Sequence, residues 1–316
     1  MIQPSKNQVI NVGSRKSLLA QKQIDEIEAL LRRFKISIVF ERTVLDTSGD
    51  RDKKVPLTEN TNDYFFTDTL DQAVLKKEID IAIHSAKDLP KKLKSGLAIF
   101  ALTKSEDNTD SFVGKISLEQ LKPGAKVGTS SLLRQQQLKK LYPHLELINI
   151  RGTIQERLAL VEQGTCDGII VATIALKRLG LQDRIKNILP WEGAAGQGQL
   201  AVVGRSEDKK LAELFEKIDV RKRYGKVILV GAGPGDPELI TLKGIEALKK
   251  CDCVFYDYLV DKSLLTYAKR AEKVFVGKRK GLHTLSQAEL SRQLKNQALS
   301  GKNIVRLKGG DPFIFG

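Results

Sequence analysis

Residues 225–240 read GKVILVGAGPGDPELI. An apolar run over 227–230 leads into a loop with Gly231, Gly233 and Gly235, and helical spacing follows from Leu239. A strand that empties through glycines into a helix is how α/β folds receive a cofactor. A new domain therefore begins about two-thirds of the way along, and the residues before it must build their own core. At 316 residues the chain has room for two or three ordinary domains. It stops at Gly316, inside another glycine-rich stretch, KGGDPFIFG. The expectation is a second catalytic half that is incomplete, in a fragment of a longer fused polypeptide.

The preceding residues alternate short apolar runs with helical patterns. Strands are predicted at 8–12, 36–45 and 79–83, and helices at 17–33 and 67–77. A second series follows Pro123-Gly124, with strands at 126–128, 145–150 and 168–172. Its helices are predicted at 130–141, entered through Thr129, Ser130 and Ser131, and at 154–163. The stretch 200–203 is read as a return to the first sheet, 207–218 as an amphipathic helix and 219–224 as a charged linker. The fold class is α/β: mostly parallel sheets with helices on both faces, in two lobes flanking a cleft. The third series predicts a helix at 239–250, strands at 254–256, 274–276 and 303–307, a helix between the first two of these strands, and a helix at 286–299.

The net charge of +15 invites polyanions. Nucleic-acid binding asks for clustered cations with stacking aromatics, but aromatics are only 6% and the arginines sit among Gly- and Ser-containing turns. A small polycarboxylate is the expected ligand. No run approaches the roughly 20 apolar residues of a membrane span. The N-terminus lacks an apolar signal core, so a cytoplasmic protein is expected. Cys166, Cys251 and Cys253 make no disulfide framework. His84, His144 and His283 are scattered, and no metal site is expected.

Polar clusters fall at the turns after predicted strands, where α/β proteins bind ligands. They are Gly13-Ser14-Arg15-Lys16-Ser17, His84 to Pro90 (HSAKDLP), Gly128 to Ser131 (GTSS), Arg151-Gly152 with Arg157, and Gly196-Gln197-Gly198. Helix N-termini and hydroxyls at such turns supply donors, and the arginines supply charge. This order resembles the hydroxymethylbilane synthase (porphobilinogen deaminase) family. The matching segments are VGSRKSLLA, TSGD, IDIAIHSAKDLP, VGTSSLLRQQQL, INIRGTIQERL, IIVATIALKRLGL and GQGQLAV, over about residues 8–205. The resemblance implies two lobes like those of periplasmic binding proteins, with lobe 1 formed by residues 1–100 and 200–220 and lobe 2 by 101–199. It implies that four porphobilinogen units are joined head to tail with loss of ammonia. It makes Asp88 the catalytic carboxylate, against the plainer reading of a turn residue before Leu89-Pro90. Arg15, Ser17, Lys87, Ser130, Arg134, Arg151, Arg157 and Arg178 would hold acetate and propionate groups.

The sequence departs from the family in three places. Leu133 stands where a first arginine is usual. Asn62-Asp63-Tyr64-Phe65-Phe66 replaces a Gly-Lys-Gly-Leu-Phe stretch. The third domain, whose Gly-Gly-Cys thiol anchors the dipyrromethane primer, is missing, and none of the three cysteines matches the anchor. Dipyrromethane is the cofactor the family implies; a non-catalytic tetrapyrrole-binding module is the alternative to catalysis.

The block from Gly225, with VFYDYLV, VFVGKRKG and VRLKGGDPFIFG, resembles uroporphyrinogen-III C-methyltransferase of the tetrapyrrole methylase family. The resemblance implies that 225–316 is the N-terminal lobe of an S-adenosylmethionine-dependent methylase. Pro234, Gly309, Gly310, Asp311 and Ile314 would contact that cofactor, Asp257 would accept a proton and Lys278 would donate one. The plainer readings are strand-end capping for Asp257 and a solvated basic face for Lys278. Both resemblances lie in one pathway, the biosynthesis of tetrapyrroles for haem, sirohaem or corrinoids.

Overall fold

The computed structural model describes residues 8–36, 38–47, 67–277 and 286–312. The chain divides into two compact units, Met1–Val220 and Arg221–Gly316.

The first unit holds two five-stranded sheets. In lobe 1, β1 (Gln8–Ser14) pairs in parallel with β2 (Ile38–Val44) on one side and β3 (Ile81–Ser85) on the other. A later strand, β10 (Leu200–Arg205), lies antiparallel between β3 and β4 (Leu97–Leu102). Helix α1 (Leu18–Arg33) starts where the Ser17 side chain accepts the Ala20 N–H, and its buried Ile24, Ile27 and Leu31 recur at helical spacing. With Leu211 and Phe215 of a further helix (Lys209–Glu216), that stripe covers one face of the sheet. Leu70 and Val74 of α2 (Asp68–Leu75) lie in a separate cluster with Ile79, Ala82 and Val203.

Lobe 2 repeats the plan. β5 (Thr109–Gly114), β6 (Lys126–Gly128), β7 (Glu146–Ile148), β8 (Gly168–Ala172) and β9 (Asn187–Glu192) are ordered β7-β6-β8-β5-β9, with β5 antiparallel to its neighbours. α3 (Leu132–Leu141) contributes Leu138 to one core cluster. α4 (Ile154–Glu162) and α5 (Thr173–Arg178) contribute Leu158, Val161 and Leu176 to another. Each sheet is mostly parallel with one reversed strand, for a topological reason. The chain leaves β4 and β9 at the carboxyl ends of the parallel strands and enters the other lobe from that same end. The strand it enters, β5 or β10, must therefore run backwards.

Gly168 lets β8 pack against β5: a Cβ there would stand 2.2 Å from a Phe112 ring carbon and 2.8 Å from the Val113 carbonyl oxygen. Gly168→Ala is expected to destabilise the unit by about 2 kcal/mol through overpacking. Urea unfolding followed by the single tryptophan, Trp191, would read this as a lower midpoint; an unchanged midpoint would count against the packing described.

The second unit is a parallel four-stranded sheet of β11 (Val227–Gly231), β12 (Cys253–Tyr256), β13 (Glu272–Phe275) and β14 (Ile304–Lys308), ordered β11-β14-β12-β13. Numbering the Lys209–Glu216 helix α6, the helices here are α7 (Leu242–Lys250) and α8 (Gln287–Leu299), which pack into separate core clusters. Three expectations are corrected. α7 begins at Leu242 rather than 239, because the Thr241 hydroxyl caps Gly244 and Pro237–Leu239 forms its own 3-10 turn. The helix expected between β12 and β13 is only a 3-10 turn, Lys262–Thr266. The stretch 219–224 is no simple solvated linker: Asp219 is buried and accepts the Leu102 N–H, and Val220–Arg223 is a 3-10 turn. Among the described residues no helix is long and apolar enough to cross a membrane.

Candidate active site in the interlobe cleft

The turns singled out in the sequence all follow parallel strands. Arg15 and Ser17 follow β1, Lys87 and Asp88 form the 3-10 turn after β3, Ser130 follows β6, and Arg151 follows β7. Arg134 and Arg157 lie in the first turns of α3 and α4. The carboxyl ends of parallel strands face the gap between the lobes, so these side chains meet there. They line a cavity of about 810 Å³. Ser17, Ser131 and Thr153, the N-caps of α1, α3 and α4, line it too, which brings three positive helix ends to one space.

The cleft is cationic. Arg15, Lys16, Lys87, Arg134, Arg151 and Arg157 line it, against Asp46, Asp88, Asp110 and Glu156. Among those carboxylates, Glu156 and Asp110 are occupied. Glu156 caps the Thr153 N–H at 2.7 Å, and Asp110 accepts from Arg134 at 2.6 Å. The crowding shows in the cations themselves. Burial, then neighbouring Arg134, lowers Lys87 to about 8, and burial with Arg134 and Arg151 lowers Arg157 to about 10. A bound polyanion would relieve this repulsion. Asp88 is half-buried, and among the described residues no donor is hydrogen-bonded to its carboxylate.

Other expected residues have prior engagements. The Ser130 hydroxyl donates to the Ile150 carbonyl at 2.5 Å. Arg178 does not line the cavity: it crosses to lobe 1, donating to both Glu26 oxygens at 2.6 and 2.9 Å and to the Gly198 carbonyl at 3.0 Å. Asn62-Asp63-Tyr64-Phe65-Phe66 lies outside the described residues.

Sequence reasoning missed Asp110 as a site residue. It is fully buried and accepts from Arg134, from Gln197 at 2.9 Å and from Trp191 at 3.1 Å. Burial alone would raise its pKa, but the Arg134 guanidinium and these donors hold it below the usual carboxylate range. No pattern in the strand TDSFVG marks Asp110, which gains its role from Arg134, Trp191 and Gln197 far along the chain.

His84 is 5% exposed and its Nε2 has no hydrogen-bond partner among the described residues. Burial, then the charge of Arg15, lowers it from 6.5 to about 4. The folded protein keeps it neutral where an unfolded chain takes up a proton. The stability this represents is complete above pH 6.5 and is lost as pH falls towards 4, by up to about 3 kcal/mol. Unfolding free energy is therefore expected to fall more steeply over that window in the wild type than in His84→Asn; parallel curves would contradict the assignment.

In the second unit the two glycine loops lie together. The Gly310 N–H donates to the Gly233 carbonyl at 2.9 Å, and a Cβ on Gly231 would come within 2.8 Å of the Gly310 carbonyl oxygen. Pro234, Gly309, Gly310 and Asp311 thus fall at the carboxyl ends of β11 and β14. Asp257 is tied up: it accepts from Arg306 at 3.0 Å and from the backbone N–H groups of Leu259 and Gly309 at 3.2 and 3.3 Å. Lys278 and Ile314 lie outside the described residues.

Comparison with known proteins agrees with both halves. Residues 10–213 match the family model for the dipyrromethane cofactor binding domain of porphobilinogen deaminase, and 226–316 that for tetrapyrrole (corrin/porphyrin) methylases. The porphobilinogen deaminase of a Nostoc species is 38% identical over 223 residues, 68% of this chain and 69% of the relative. That of Desulforudis audaxviator is 39% identical over 213 residues, 66% and 69% of the two chains. The native uroporphyrin-III C-methyltransferase of Thermus thermophilus is 51% identical over 29% of this chain, with a TM-score of 0.26; the match spans only 39% of that enzyme. The periplasmic VFT2 domain of Bordetella pertussis BvgS aligns with 66% of this chain and 86% of its own, at 16% identity and a TM-score of 0.42.

Proposed function

The chain belongs to the porphobilinogen deaminase family, and from that premise we propose that its first unit joins porphobilinogen units head to tail with release of ammonia. It is a transferase of tetrapyrrole biosynthesis that also carries a tetrapyrrole methylase domain. One observation carries the proposal: the Asp88 carboxylate, without a hydrogen-bond donor among the described residues, stands in a cleft lined by Arg15, Lys87, Arg134, Arg151 and Arg157.

The chemistry fits those residues. The acetate and propionate groups of a monopyrrole pair with guanidinium forks. When the protonated aminomethyl group leaves as ammonia it takes the C–N electron pair, and the ring becomes cationic. Asp88 stabilises that charge through the pyrrole N–H. The free α-carbon of a second pyrrole then attacks the methylene carbon, forming the new C–C bond. Asp88 accepts the proton shed from the attacking carbon. Arg178 binds no substrate carboxylate, since Glu26 holds its guanidinium.

The cations suit a dipyrromethane, but none of the three cysteines in these residues fits as its covalent anchor. Cys166 is 2% exposed in a core cluster of lobe 2, and Cys251 and Cys253 lie in the core of the second unit. Burial pushes all three thiols up, Cys253 to about 11, so none offers a ready thiolate. This supports a second reading, a tetrapyrrole-binding module that does no chemistry. Incubation with porphobilinogen while following ammonia separates the two: the synthase reading expects release, and binding without release would leave only the module.

For the second unit we propose the S-adenosylmethionine part of a methylase site, with Pro234, Gly309, Gly310 and Asp311 beside the cofactor, which would supply the methyl group. Glycines without side chains allow close backbone approach there. Asp257 is proposed to fix the loop after β14 through Arg306 and the Gly309 N–H.

A further inference from the structure

Two segments, residues 103–108 and 193–199, join the lobes. Gln197 in the second is 2% exposed. Its Nε2 donates to the Asn108 and Thr109 carbonyls at 3.1 and 2.9 Å and to Asp110 at 2.9 Å. Its Oε1 accepts from Lys87 Nζ at 3.2 Å and from Arg134 at 3.4 Å. Acceptors surround one end and cations the other, so only one orientation of the carboxamide satisfies the site.

The backbone is shaped to hold this side chain. A Cβ on Gly193 would stand 2.1 Å from Gln197 Nε2. Gly196 and Gly198 take φ of +76° and +85°, which glycine adopts without strain. The Ser105 hydroxyl donates to the Gln197 carbonyl at 2.8 Å.

We propose that Gln197 is a positioning residue that seats the Lys87 ammonium of lobe 1 and the Arg134 guanidinium of lobe 2 on one carbonyl oxygen, registering the two lobes across the cleft. A hydrocarbon in its place would leave the two cations facing each other without a shared acceptor, Arg134 keeping Asp110 and the Ile170 carbonyl. The charged groups facing Lys87 are Asp88 on its own turn, Asp110 on β5, Arg134 on α3 and Arg157 on α4. The first two favour the ammonium and the last two oppose it. Any effect on turnover rests on the deaminase reading, but the state of Lys87 does not.

The test is the titration of Lys87 in the full chain, read as the pH dependence of its acylation by acetic anhydride with peptide mass spectrometry. The wild-type midpoint should lie near 8. Gln197→Met removes the acceptor and is expected to lower the midpoint by about one unit. Gln197→Asn, which withdraws the carboxamide by one methylene, should act in the same direction. Ser105→Ala loosens the joining segment but leaves the carboxamide, and should leave the midpoint in place. An unmoved midpoint in Gln197→Met, or an equal shift in Ser105→Ala, would overturn the proposal. So would failure of both Gln197 variants to fold, since the carboxamide would then serve folding rather than placement. The expected Lys87 shifts in a chain whose wild type releases no ammonia from porphobilinogen would refute the deaminase reading alone.

Discussion

Replacing Asp88 with asparagine is expected to lower porphobilinogen turnover at least about a hundredfold, the scale of a lost proton-transferring and charge-stabilising group. The substitution keeps size and shape. It removes the negative charge that faces the cationic ring and the base that accepts the proton. Because no donor among the described residues is hydrogen-bonded to Asp88, the fold should tolerate the change, and the urea midpoint should stay where it is. Asp88→Glu keeps the charge but moves it by one methylene, so a partial loss is expected. Initial rates of ammonia release measure both. A rate for Asp88→Asn within about threefold of wild type would remove Asp88 from the chemistry.

Asp110→Ala is expected to cost about 3–5 kcal/mol of stability, the usual range for breaking a buried ion pair from one side. Its partner Arg134 is 8% exposed and would lose its only ion-pair partner among the described residues, 2.6 Å away. The indole N–H of Trp191 and the Gln197 carboxamide would each lose an acceptor as well. Asp110→Asn leaves an acceptor oxygen in place, so a smaller loss is expected. Since Trp191 is the sole tryptophan, its emission reports on this cluster, and both the folded spectrum and the unfolding midpoint should move. An Asp110→Ala protein as stable as the parent would show that the pair contributes nothing to the fold.

Much of the site was legible because its parts are local. Gly13 to Ser17, HSAKDLP and GTSS each combine a strand end, a turn and a helix cap, and these carry their signals within a few residues. Once parallel strands are inferred, their carboxyl ends converge, and Arg15, Lys87, Asp88, Arg134, Arg151 and Arg157 fall into one cleft. What escaped is what depends on distant partners. Arg178 reads as a cation on a helix; its partner Glu26 is 152 positions away on the other lobe. Gln197 gains its meaning only where two joining segments run side by side. β9, NILPWE, carries a proline, which argues against a strand, and it exists because it lies at the sheet edge beside β5. The Leu97–Leu102 run does have the apolar character of a buried strand, and its place in the sheet is fixed by β10, about a hundred residues later. The start of α7 moved because a threonine hydroxyl competes better for the first N–H groups than the apolar periodicity alone suggests.

The central claim is that the cationic cleft of the first unit gathers carboxylated pyrroles around Asp88. A crystal structure of the full chain with porphobilinogen bound tests it most directly. The account predicts the monopyrrole between the two lobes, its ring N–H within hydrogen-bonding distance of Asp88 and its carboxylates on Arg15, Arg134, Arg151 or Arg157. Porphobilinogen bound elsewhere on the chain, or in the cleft with its ring turned away from Asp88, would contradict it.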